Sequence, residues 1–109
     1  MMQAIKTDNT LDEKGNPTGG TVEGVGLSIT WQNGPLGRGN ERVAPNGAFV
    51  EGCIEAARQR IAFYQSASNG RFACRENALA ITKLEEALHW LNARTASREA
   101  RGVEGTHEA

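Results

Sequence analysis

Residues 50–96 read VEGCIEAARQRIAFYQSASNGRFACRENALAITKLEEALHWLNARTA, and this stretch decides the fold. From Val50, apolar residues recur at Cys53, Ile54, Ala57, Ile61 and Tyr64, the spacing of one helical face. Ser66 to Gly70 interrupts the pattern. A second face then runs through Ala78, Ile81, Leu84, Leu88 and Leu91, widened by Ala80, Ala87 and Trp90. Ala, Leu, Glu and Arg dominate the stretch and favour helix. The second helix is expected from about Cys74 to about Ala96, and each helix is ~30 Å long. Two such helices joined by a short break predict an antiparallel hairpin. Asn46, after Pro45, is the expected N-cap of the first helix.

Upstream the composition changes. Ten of the 13 glycines and all three prolines, Pro17, Pro35 and Pro45, fall in residues 1–52. Both residue types break helices, so this half is expected to form strands and turns. Leu27, Ile29 and Trp31 alternate with Ser28, Thr30 and Gln32, which predicts a half-buried strand over Gly26–Gln32, with a start as early as Thr21. Met2–Lys6 is a weaker partner strand. Lys14–Gly20 and Asn33–Asn40 read as loops, with a third short strand around Glu41–Val43. The expected fold class is therefore α+β in one domain. A small antiparallel sheet (1–45) precedes a two-helix antiparallel hairpin that ends in an arginine- and glycine-rich segment (46–109).

At 109 residues there is room for one domain with a modest core. Wide apolar stripes on a two-helix hairpin of this size call for another subunit, so a homo-oligomer built from two-fold dimers is expected. The net charge of −1 supplies no global basic field for DNA and no acidic excess. Cys53 and Cys74 form no disulfide framework, which points to a reducing compartment. The first ten residues lack an apolar signal core, and no window reaches the ~18 apolar residues of a membrane span.

Chemistry concentrates in two places. Arg94, Arg98 and Arg101 are spaced i, i+4, i+7, and continued helix puts them on one face. Guanidiniums grip phosphates bidentately and stack on flat bases. Gly102, Gly105 and Thr106 follow, and a turn there exposes backbone N–H groups and a hydroxyl to an oxyanion. A solvated last helical turn is the competing reading. Phe63, Tyr64 and Phe72 flank the break between the helices, where a ring beside an arginine makes a purine sandwich; core packing competes for them. Asn77 has the chemistry to read an adenine edge, or is a polar residue of the first turn. His89 and His107 have no ligand partners at metal spacing, and His89 beside Trp90 reads as a packed helix histidine. Nothing assembles a nucleophile, base and orienter.

Glu76-Asn-Ala, the run Leu84 to Thr95 (LEEALHWLNART), and Arg98 to His107 (REARGVEGTH) resemble the helical-hairpin domain shared by two groups of viral anti-defence sponges, one countering CBASS and one Thoeris. Gly26–Gly37 and Pro45–Glu51 resemble the Thoeris group, which places a small sheet before the hairpin. The resemblance implies a binding protein rather than an enzyme. Its members sequester cyclic ADP-ribose isomers at a dimer interface, and some assemble as hexamers, trimers of dimers, that bind cyclic trinucleotides at separate sites. Carried over, Asn77, Arg94 and Arg98 match the residues for the ADP-ribose ring, with Phe63, Tyr64 and Phe72 competing as the stacking ring. Arg101, Gly105 and Thr106 match a cyclic-trinucleotide site. The implied partners are small cyclic nucleotides and the protein itself, with no DNA, membrane, metal or cofactor, in the cytoplasm of an infected bacterial host. An enzyme degrading the same signals and a helical protein-interaction adaptor are the alternatives.

Overall fold

The computed structural model describes residues 4–109. These divide into two units. One holds the chain up to Phe49 together with Glu99–Ala109; the other is Val50–Arg98.

The first unit is a three-stranded antiparallel sheet in the order β1-β2-β3, with β1 at Lys6–Leu11, β2 at Pro17–Gly24 and β3 at Leu27–Thr30. Asp12 makes the β1–β2 turn. Its Oδ1 accepts the Lys14 and Asn16 amides at 2.8 and 2.9 Å, and Gly15 supplies a φ of +80°. Those bonds, Asn16 first, hold the Asp12 carboxyl below its usual range. Val25-Gly26 makes the β2–β3 turn, with Gly26 at φ +72°. Val22, at the centre of the central strand opposite Thr7 and Ile29, is the one buried hydrophobic among the described residues.

Several expectations are corrected here. Residues 17–20 belong to β2 rather than a loop. A Cβ on Gly20 would sit 2.6 Å from the Asp8 carbonyl oxygen, so the pairing itself requires glycine there. The expected strand through Thr21–Gln32 is two strands folded back at Gly26. Met2 and Gln3 of the expected first strand lie outside the described residues, and the observed β1 begins at Lys6. Residues 41–43 form no strand: Gly39–Glu41 is a 3-10 turn, and the Val43 amide closes the loop on Leu36 O at 2.7 Å. Asn46 does not cap a helix. Its Oδ1 accepts the Asn33 amide at 2.8 Å, and its own N–H donates to Gln32 Oε1 at 2.8 Å. It pins a parallel bridge between Trp31 and Ala48 instead.

The second unit holds two successive helices, α1 (Val50–Gly70) and α2 (Arg75–Ala100). Ile54 and Ile61 on α1, and Ile81, Leu84, Leu88 and Leu91 on α2, are half-buried. The expected interruption sits where the backbone leaves helical geometry at Ala67, Ser68 and Asn69. Gln65 then clamps the next helix, accepting the Cys74 amide at 2.9 Å and donating to Cys74 O at 3.1 Å. Helix α2 begins one residue later than expected and runs to Ala100, so it carries both Arg94 and Arg98. No described helix is long and apolar enough to cross a membrane.

Candidate functional site

The C-terminal end of α1 carries a cation–ring cluster. Phe63 and Tyr64 meet edge to face with centroids 5.8 Å apart. The Arg60 guanidinium carbon lies 5.2 Å from the Phe63 centroid and 5.0 Å from that of Tyr64, and Arg60 Nη2 donates to the Tyr64 hydroxyl at 3.2 Å. Across the break, Arg71 sits 5.0 Å from the Phe72 centroid. Phe63, Tyr64 and Phe72 are 54, 44 and 51% exposed, so none is core packing in the chain. Exposed rings held beside guanidiniums offer flat faces and positive charge together, which suits a nucleobase attached to a phosphate. Sequence reading missed Arg60 and Arg71. The signal was present: Arg60 stands i, i+3 and i+4 from the two rings, and Arg71 adjoins Phe72.

Nearby charge on α1 is already neutralised. Glu55 accepts from Arg58 Nε at 2.8 and 3.0 Å and forms an ion pair with its Nη2. That contact holds the Glu55 carboxyl down to about 2 and raises Arg58.

Asn77 stands in the first turn of α2, half-buried, with its backbone N–H donating to Cys74 Sγ at 3.4 Å. Arg94 is exposed and makes no hydrogen bond or ion pair among the described residues. Arg98 is half-buried one turn further on. Asn77 and Arg94 are 17 positions apart on one helix, about 25 Å along its axis. One chain therefore gathers the rings and Asn77 at the connection between the helices and sets Arg94 and Arg98 near the far end of α2. His89 is exposed rather than packed, edge to face with Trp90, which is itself 71% exposed.

Arg101, Gly105 and Thr106 lie together in the segment after α2, within the sheet unit. Arg101 Nη1 donates to Ala109 O at 2.9 Å. The Thr106 hydroxyl donates to Val103 O at 2.6 Å and accepts the Glu108 amide at 3.1 Å. Gly105, at φ +78°, accepts the Gly37 amide at 2.8 Å. No group of three or more His, Cys, Asp or Glu side chains among the described residues is placed to hold a metal.

The hairpin domain family of Acb2/Tad1 matches residues 23–96. Arg98, Arg101, Gly105 and Thr106 lie beyond those residues. The chain is also similar to a Bacillus phage SBSphiJ7 protein named Thoeris anti-defense 1. The two are 50% identical over 94 residues, which cover 86% of this chain and 63% of the phage protein's length.

Proposed function

Because the chain belongs to the Acb2/Tad1 hairpin domain family, we propose that it is a phage anti-defence protein that binds and sequesters cyclic nucleotide immune signals without cleaving them. The ligands are cyclic ADP-ribose isomers, with cyclic trinucleotides at a second site, and capture takes place inside the infected bacterial cell. The similarity to a protein named for Thoeris anti-defence supports the biological setting.

One observation carries the binding geometry. Phe63, Tyr64, Phe72 and Asn77 stand at one end of the hairpin, while Arg94 and Arg98 stand ~25 Å away or more along α2. A cyclic dinucleotide-sized ring is far smaller than that span. Two copies running in opposite directions bring the ring-bearing end of one beside the arginines of the other, so the pocket is assembled by a dimer. In that pocket a ring stacks on adenine, Asn77 bonds the base edge, and Arg94 and Arg98 take the diphosphate. A binder acting by stoichiometry needs no nucleophile–base pair.

Calorimetry with a cyclic ADP-ribose isomer tests the assignment. Arg94→Ala and Arg98→Ala should each weaken capture by about 10- to 100-fold, the loss of a charge-assisted bond of ~1.5–3 kcal/mol, while helix content is kept. Wild-type affinity in both variants refutes the assignment.

A further inference from the structure

Helix α2 carries apolar residues on two sides. The half-buried stripe of Ile81, Leu84, Leu88 and Leu91 lies on one. Leu79 and Trp90 lie on the other. They are eleven positions apart, three turns of helix, and share a face about 16 Å long. Trp90 stands ~200° around the axis from Leu88, so it does not widen the half-buried stripe as the sequence led us to expect. The described chain leaves this second face open, with Leu79 42% and Trp90 71% exposed. His89 braces the Trp90 indole edge to face, with centroids 5.3 Å apart.

Lys83 and Glu86 stand between Leu79 and Trp90 on the same face, both exposed and joined by an ion pair at 3.5 Å. The order Leu79, Lys83, Glu86, Trp90 falls at i, i+4, i+7 and i+11, with its midpoint between residues 84 and 85. A second copy running the opposite way and centred there sets Leu79 against Trp90 and Lys83 against Glu86, in both directions at once. Further out, Glu76 of one copy comes beside Arg94 of the other, and neither is in an ion pair among the described residues. Arg75, on the opposite edge of the face, comes beside the small Ala93.

We propose that two copies pair through this face of α2, antiparallel and in that register. The proposal rests on the shared-pocket reading above and gives it a contact surface, because it lays the first turn of α2 in one copy alongside Arg94 of the other. A two-fold contact joins one surface to itself, and apolar ends around a mixed-charge centre meet that requirement. The ion pair within each copy becomes a ring of four alternating charges between the copies. That ring fixes the register. A slip of three positions one way sets Glu86 on Glu86, and the other way Lys83 on Lys83, and like charges face to face are destabilising.

The test follows the mass of the full chain by analytical ultracentrifugation at micromolar concentration, with circular dichroism to verify that helix is kept. Lys83→Glu sets four carboxylates at the seam and Glu86→Lys sets four ammonium groups there. Each should weaken pairing at least tenfold and lower the mass. Mixed in equal amounts, the two variants match again, since every carboxylate of one faces an ammonium of the other, and the wild-type mass should return. The double reversal Lys83→Glu/Glu86→Lys should keep the wild-type mass, and Trp90→Ala should lose it. Single variants with wild-type mass overturn the interface, whether or not they capture nucleotide. Single variants that dissociate but do not recover on mixing overturn the register. Failure of the pocket reading has a different signature: masses that respond as described support the interface even where wild-type protein retains no cyclic ADP-ribose isomer.

Discussion

Gly37 and Gly105 meet backbone to backbone with no space for a methyl group, and both have φ near +80°. Gly105→Ala pays twice, in left-handed strain and in a collision, and should lose about 1–3 kcal/mol of stability in denaturant titration. Helix content from Val50–Arg98 should persist in that variant. Arg60 is a second residue-scale test. It rests on two exposed rings, and a cation–ring contact at such a site is worth ~0.5–1 kcal/mol. Arg60→Ala should weaken capture of the ADP-ribose isomer about two- to fivefold by calorimetry; no change removes Arg60 from the site. Single residues were unevenly legible. The spacing of Arg94 and Arg98 made their shared helix legible, and Arg60 was readable beside its two rings by the same rule. Asn46 was misread because a capping oxygen and a loop-pinning oxygen look alike in sequence, and only the fold shows Asn33 in reach.

Among the elements, α1 carries its own acid sensitivity. Arg58 holds the Glu55 carboxyl at about 2 against an ordinary 4.5. A lowered carboxyl stabilises the fold above the unfolded value, and that contribution fades as pH falls from 4.5 toward 2. Circular dichroism should show a helix-stability component lost over that window, and Glu55→Gln should flatten it. The effect is small, because both side chains are reached by solvent. Both helices and their break were legible because periodicity in apolar residues marks the half-buried face of each helix. The sheet was half legible. Strand β3 alternates, but β2, Pro17–Gly24, reads PTGGTVEG, in which glycine and threonine mimic a loop. Its pairing requires glycine at position 20, a demand set by the neighbouring strand and absent from its own pattern. The contacts of Arg38 and Arg42 with the C-terminal segment span more than 60 residues and left no local trace at all.

For the molecule as a whole, the surface left open is the main fact. Neither helix buries a residue, and Phe63, Phe72, Leu79 and Trp90 remain 54, 51, 42 and 71% exposed. Apolar area of this kind fits the second copy that we propose for the shared pocket. Light scattering at micromolar concentration should give a mass above that of a dimer; a value near 11.7 kDa excludes the shared pocket. The central claim is capture without chemistry. Its most direct measurement is to mix the purified protein with excess cyclic ADP-ribose isomer, remove unbound ligand, denature the protein by heat and identify what is released. Intact nucleotide in stoichiometric amount is the predicted result. A cleaved product in molar excess over protein, or no retained nucleotide, would contradict it.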